Sequence, residues 1–332
     1  MRVIQIGNFG PEHSTERHLR RALMHNGHDV LMMQEDDPNT FLNMSNRESW
    51  PTKPDFILWT RTGWDWDNLF AGKGSGTRLA HGLQRSMLQQ AERLGVPVVG
   101  YHLDLWFGLN REHQLAEPFF ECPLVITADG GHQAEFAARG INHEWMPPAV
   151  SLAECEPGIK RASYASKLAF VGSWQGGYHK EHQHRFELVQ WLQRNFRRDC
   201  EFYPRMGEHA VRGEALRDLY ASVDVVVGDS CLAGTGITNY WSDRIPETVG
   251  RGGLLLHPSV PGIVPHFIDG EHLILWEAGN WDELGDTIEY ALSHPEENRA
   301  IAAAGREHVL KHHTYEVRVQ QLTELLAERS ML

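Results

Sequence analysis

Ser242, Asp243, Arg244 and Glu247 open the stretch S-D-R-I-P-E-T-V-G-R-G-G-L-L-L-H-P, which ends at Pro258. A guanidinium such as that of Arg244 can offer a two-pronged fork to a diphosphate. A carboxylate such as that of Glu247 can accept hydrogen bonds from the diol of a ribose, although a solvent-facing helix glutamate would look the same. Asp243 is expected to cap a helix through its side-chain oxygen, and Pro246 falls in the first turn, where a missing N–H costs little. The free amides of a helix start carry partial positive charge and suit a phosphate. Gly250, Gly252 and Gly253 are expected to end that helix. Leu254 to Leu256 then form an apolar run fit for a parallel strand. The stretch reads as a place for a nucleoside diphosphate.

Other polar sets follow apolar runs. Gly172-Ser173-Trp174-Gln175-Gly176-Gly177 could cradle a phosphate with backbone amides, with Lys180 and Arg185 just beyond and Arg205 as a further partner. Gly228-Asp229-Ser230 would let a nucleotide approach the backbone. Near the start, Gly7-Asn8-Phe9-Gly10 forms a turn with His13 and Glu16 beside it, but lacks the G-x-G-x-x-G dinucleotide pattern. Tyr101-His102-Leu103-Asp104 sets an imidazole and a carboxylate at the end of a strand, where an aspartate cap beside an incidental histidine is the plain alternative. Asp65-Trp66-Asp67 matches a loose D-x-D pattern that recurs by chance. The 20 histidines, including His182/His184 and His312/His313, show no ligand spacing. No metal is expected.

The elements that must position these groups alternate. Strands are expected at Val3–Ile6, Asp29–Met33, Phe56–Thr60, Val96–Tyr101 and Leu124–Ala128, with helices over Ser14–Asn26 and Thr77–Leu94. A second series has strands at Leu168–Gly172, Glu201–Tyr203, Asp224–Val227 and His272–Trp276. Its helices are expected near Glu181–Phe196, Ala215–Ser222, Trp281–Ser293, Pro295–His312 and Tyr315–Arg329. This βα order implies a doubly wound, mostly parallel sheet in each half, with ligands at the carboxyl ends of the strands. The proline-bearing stretch 147–166 is the expected linker, and 38–54 an irregular excursion.

With 332 residues, two domains are the default. The chain is 41% hydrophobic and 23% charged, with a net charge of −13, which argues against a protein whose main task is coating nucleic acid. Arg17, Arg20 and Arg21, and again Arg194, Arg197 and Arg198, form small basic clusters that fit solvated helix faces. No apolar run is long enough for a membrane span, and the first residues lack the pattern of a secretory leader. Cys122, Cys155, Cys200 and Cys231 form no C-x-x-C pair, so reduced thiols and a cytoplasmic location are expected.

Taken together, these residues resemble the GT-B class of glycosyltransferases, and within it the CgeB-like group related to glycosyltransferase family 4. The likeness rests on S-D-R-I-P-E-T-V-G-R-G-G-L-L-L, on P-H-F-I-D-G-E-H-L-I-L-W with W-D-E-L and A-A-A-G-R-E-H-V-L-K-H-H-T-Y-E-V-R, and on G-V-P-V-V-G-Y-H-L-D. The resemblance implies an α/β fold of two Rossmann-like domains facing across a cleft. Residues 1–150 would form the acceptor side, 165–314 the nucleotide-sugar side, and 315–332 a helix crossing back. Glu247 corresponds to the second glutamate of the family's E-x7-E pattern, whose first position falls on Asn239, so the pattern is broken. His102 matches the histidine near the transferred sugar.

The implied reaction moves a sugar from a nucleoside-diphosphate sugar, a UDP-sugar first of all, to an acceptor hydroxyl without metal or other cofactor and with retention. His102, Asp104 and His13 are the candidate catalytic groups. Gly172, Ser173, Arg185, Arg205, Asp229, Ser230, Asn239, Ser242, Asp243, Arg244 and Glu247 are the candidate donor contacts. Gly7, Asn8, Phe9, Gly10 and Glu16 are the candidate acceptor side. The acceptor is left open between a small molecule, a glycan, a protein and hydroxymethylated DNA of the viral kind. The rivals are an epimerase or hydrolase and a degenerate nucleotide-sugar binder, the last favoured by Asn239.

Overall fold

The computed structural model describes residues 1–46, 50, 52–61, 74–103, 105, 112–174, 183–264 and 266–332. The chain divides into two compact units, Met1–Pro147 with Arg318–Leu332, and Pro148–Val317. Unit 1 runs β1 (Arg2–Gly7), α1 (Thr15–His25), β2 (Asp29–Gln34), α2 (Pro38–Met44), β3 (Phe56–Arg61), α3 (Gly74–Arg93), β4 (Val98–His102), β5 (Leu124–Thr127), α4 (Gln133–Ala138) and β6 (His143–Trp145). Its strands lie in the order β2-β1-β3-β4-β5-β6, with every pairing parallel. All six residues of β3 and all five of β4 are buried, as a strand covered on both faces must be. Ile4, Ile57, Trp59, Val98, Phe119 and Phe136 stand in the core of this unit.

Local chemistry sets the boundaries. Ser14 caps α1 by accepting the Arg17 amide at 3.3 Å, and Gly27, at φ +81°, lets the chain turn out of it. The excursion expected as irregular contains α2: Asp37 accepts the Asn39 amide and Pro38 starts the helix, a use of proline that reads as a breaker in sequence. The three-residue β6 also escaped the sequence reading, because its half-buried residues carry no apolar alternation.

Unit 2 runs β7 (Ser166–Val171), α5 (Gln183–Asn195), β8 (Cys200–Tyr203), α6 (Gly213–Ser222), β9 (Val223–Val227), α7 (Arg244–Gly250), β10 (Leu255–Pro258), β11 (Ile274–Trp276), α8 (Trp281–Ser293), α9 (Pro295–His312) and α10 (Tyr315–Glu328), which continues into unit 1 from Arg318. Its parallel sheet has the order β11-β10-β9-β7-β8. Leu168, Phe170, Val225, Val227, Leu256 and Trp276 pack its core. The expected linker is no loose tether. The Ile159 amide bonds to Asp218 Oδ1 at 2.8 Å, the Arg161 amide to Ser222 Oγ at 2.7 Å, and Arg161 pairs with Asp218, so this stretch is strapped to α6.

α7 is short and is held from outside. Gly250 is its last residue and is pressed against Val309, Val150 and Cys155. The end is made by Gly252 at φ +83°, whose amide reaches Val249 O at 2.9 Å while that of Gly253 reaches Thr248 O at 3.0 Å. On α9, Gly305 lets the helix approach so closely that an added methyl would collide with the His272 carbonyl oxygen and crowd Val249. Gly305→Ala should therefore destabilise the protein by about 1–3 kcal/mol, measured as a shift of the urea midpoint, and an unchanged midpoint would mean that α9 tolerates separation from α7.

Candidate functional site

β7 and β9 are neighbours in the sheet of unit 2, and their carboxyl ends bring three chain segments together. Arg244, at the start of α7, donates from Nη1 to the carbonyl of Val171, the last residue of β7. Gly172 makes room for it, since a Cβ there would lie 3.3 Å from Nη2. Arg185 on α5 donates from Nε to Asp229 Oδ2 at 2.7 Å, and its Nη1 stands 3.5 Å from Ser173 O. Asp229 is 1% exposed and follows β9. Below it, His257 of β10 bonds through Nε2 to the Asp229 carbonyl at 3.1 Å, in space left by Gly228, where a Cβ would meet Leu255 at 2.9 Å.

Charges of both signs share this end of the sheet. Burial alone would lower the pKa of Arg244, but Tyr220, Asp243, Glu247 and Asp229 outweigh it and hold the guanidinium above its ordinary value. Asp243 keeps exposed surface, yet protein crowds it; that crowding and then the Glu247 carboxylate push its carboxyl up, against the pull of Arg244, Arg212 and Arg185.

Three polar atoms here are buried with no hydrogen-bond partner among the described residues: Ser230 Oγ, Ser242 Oγ and Arg244 Nε. Unpartnered buried atoms occur elsewhere in both units, but these stand at the carboxyl ends of parallel strands, where a bound polar group can answer them. Two hydroxyls and a guanidinium N–H suit phosphate oxygens.

The opening of α7 differs from expectation. Asp243 has helical torsions, φ −53° and ψ −19°, and its side chain makes no capping bond. The Ile245 amide already reaches Ser242 O at 3.3 Å and the Glu247 amide Asp243 O at 2.9 Å, and Pro246 has no amide. The anion-binding capacity therefore lies in side chains more than in helix-start amides. Asn239 stands in the loop before the helix at φ +55°, its amide bonded to Pro261 O at 2.7 Å. Arg205 bonds instead to Ser163 O at 2.9 Å and Tyr203 Oη at 3.2 Å. Gln175, Gly176, Gly177 and Lys180 lie outside the described residues. Arg212, Tyr220 and His257 were missed in the sequence, because they come from segments whose closeness only the sheet order creates.

In unit 1 the turn after β1 is tightly engaged. Gly7 admits the buried Glu16, whose Cγ would stand 2.6 Å from an added Cβ, so Glu16 packs inward at 1% exposure rather than facing solvent. Asn8 Oδ1 accepts from the Gly10 amide at 3.2 Å and from Gln34 at 3.0 Å, and Phe9 N donates to Gln34 Oε1 at 2.9 Å. His13 is half-buried, its ring 6.5 Å from that of His18. His102 is 2% exposed, stacked on Phe120 at 6.0 Å and edge-on to Phe119 at 5.6 Å. Asp65, Asp67 and Asp104 lie outside the described residues. Next to His102 in register, Arg61 is clasped by Glu35 and Glu117 and lies against the rings of Trp59 and Phe119, a buried charge network that the sequence did not announce.

Residues 159–324, half of the chain, match the family model described as glycosyl transferase-like. No curated protein matches the chain. Among solved structures, it is similar to HepE (Alr3699) from Anabaena in complex with UDP and glucose, at 13% identity and a TM-score of 0.60, covering 99% of this chain and 100% of that one. It is also similar to an alpha-glucosyltransferase in complex with UDP and DNA containing an HMU base, at 8% identity and a TM-score of 0.65, covering 98% and 99%. Sucrose-phosphate synthase from Thermosynechococcus elongatus aligns at 13% identity and a TM-score of 0.57, covering 99% and 100%. These likenesses show the fold, an α/β architecture of the GT-B type with two Rossmann-like units. No described helix is long and apolar enough to cross a membrane.

The imidazole of His257 supports Asp229 as a neutral group, since burial drives its pKa down to about 4. In the unfolded chain it takes up a proton near pH 6.5. Its contribution to stability is therefore complete above that value and drains away as pH falls toward 4, by on the order of 3 kcal/mol. His257→Gln keeps a donor for Asp229 O and removes the titration, so its urea midpoint should fall less between pH 7 and pH 4.5 than that of the unaltered chain. Parallel losses in the two proteins would exonerate His257.

Proposed function

This chain belongs to the glycosyl transferase-like family, and from that premise we propose that it moves a sugar from a nucleoside-diphosphate sugar, with UDP as the preferred carrier, to an acceptor hydroxyl. The observation that carries this reading is the set of unpartnered buried atoms, Ser230 Oγ, Ser242 Oγ and Arg244 Nε, beside the Arg185–Asp229 pair. The diphosphate is assigned to Arg244, Arg185, Ser230 and Ser242, and the ribose diol to Glu247. The bond between the anomeric carbon and the diphosphate oxygen breaks, the acceptor oxygen bonds to that carbon, and the acceptor proton passes to the departing phosphate. Charge grows on the leaving group as the bond opens, and fixed guanidiniums stabilise it without reorganising.

That charge compensation by side chains supports a reaction without metal, and retention is carried over from the family resemblance alone. His102 keeps the place near the transferred sugar that the family resemblance implies, His13 and Asp104 stay candidate catalytic groups on their positions in the sequence, and Gly7–Gly10 forms the acceptor side, with Glu16 packed behind that turn. Membership of the CgeB-like group and a cytoplasmic location are parts of the same reading. The acceptor is a glycan or small molecule in preference to DNA, since the net charge of −13 opposes a phosphate backbone.

Calorimetric titration with UDP should give binding that Glu247→Ala and Ser230→Ala each weaken about tenfold or more, a loss near 1.4 kcal/mol. Undiminished affinity in both variants would move the donor elsewhere. UDP release from UDP-glucose should proceed unchanged in EDTA; a strict need for divalent metal contradicts the metal-free scheme. Retention of duplex DNA at moderate salt would reverse the preference for a glycan or small molecule.

A further inference from the structure

Arg205 and one member of the 194–198 basic cluster, Arg197, meet at one cavity of about 570 Å³ on unit 2. It lies along β8, the edge strand of the sheet, under the carboxyl end of α5. Its apolar wall is Trp174 and Phe202, with ring centroids 5.3 Å apart at 46°, and the Trp174 indole N–H is pinned to Pro204 O at 2.7 Å, so the wall is rigid. Met206, 77% exposed, extends it. Such a size, with aromatic walls and a few polar groups, matches a small-ligand site.

The polar groups say which ligand. Arg197 is exposed and makes no hydrogen bond or ion pair among the described residues. Arg205 is fixed by Ser163 O and Tyr203 Oη, and its Nε lies 3.4 Å from the Glu201 carboxylate. Glu201 and Glu208 both act on Arg205, so Arg197 is the cation here left without an acid partner. A doubly charged phosphate would be repelled by Glu201 more strongly than a single carboxylate. Glu201 and the exposed Gln193 amide can instead bond to hydroxyls. An apolar ring wall, hydroxyl partners and a fork for one carboxylate are together the complement of a pyranose carrying an acid group.

We propose that this cavity binds an acidic saccharide, a hexuronate unit whose carboxylate pairs with Arg197 and Arg205 and whose C–H face lies on Trp174 and Phe202. The site shares no residue with the Arg244–Asp229 assembly, so it stands or falls apart from the donor assignment.

Saturation-transfer NMR on the full chain, titrating sodium D-glucuronate, D-glucose and inorganic phosphate, tests it. Glucuronate should bind at least fivefold more tightly than glucose, and Arg197→Ala, an exposed and unbonded position that folding does not need, should bring the two level. Gln193→Ala should weaken both sugars. Equal binding of glucose and glucuronate, glucuronate binding undiminished in Arg197→Ala, or displacement of glucuronate by an equal concentration of phosphate would each overturn the proposal.

Discussion

A half-buried guanidinium at the end of β7 is the constraint around which unit 2 is arranged. Arg244 cannot leave water without partners, because an uncompensated buried charge costs several kcal/mol. The Val171 carbonyl takes one of its N–H groups, Gly172 vacates the space its head needs, and Asp229, Asp243 and Glu247 supply negative charge. Those carboxylates need compensation in turn. Arg185 clasps Asp229, and Asp243 answers by holding its proton more tightly. The helix that carries Arg244 is only seven residues long, so its position depends on the approach of α9 at Gly305 and on the turn at Gly252.

Unit 1 buries charge under the same rule and reaches a different result. Arg61 is held by two carboxylates and lies against two aromatic rings, and Glu35 also accepts the Trp59 indole N–H at 2.6 Å. Its groups are directed at one another. Burial raises the pKa of Glu35, with Arg61 pulling the other way. Around Arg244, by contrast, hydroxyls and an N–H remain unanswered by protein. A closed network braces a sheet, whereas an open one at the carboxyl ends of parallel strands is suited to a polar ligand. The proposed donor assignment to unit 2 rests on that difference.

Much of the fold was legible because parallel strands buried on both faces must be apolar throughout. Phe56–Arg61, Val98–His102, Ser166–Val171 and Val223–Val227 all lie close to their expected places. The errors share a cause. α2 hides behind a proline that begins a helix instead of breaking one, and the 147–166 stretch looks like a tether because its bonds run to α6, more than fifty residues away. Asp243 has the residue type of a cap, but its backbone is already helical, and no side-chain pattern reports a torsion angle.

The sequence by itself determined the alternation of strands and helices, the doubly wound class, and the residue types at each strand end: Gly172 and Ser173, Gly228 to Ser230, Ser242 to Glu247. Those follow from burial and from backbone stereochemistry, which act over a few neighbouring residues. Only the tertiary structure decided that Arg185 faces Asp229, that His257 supports it from below, that Arg212 and Tyr220 join the charge cluster, and that Arg205 belongs with Arg197 and not with Arg244. Such pairings depend on which strands lie side by side. The strand order β11-β10-β9-β7-β8 is set by how the whole unit packs, and no local stretch of chain encodes it.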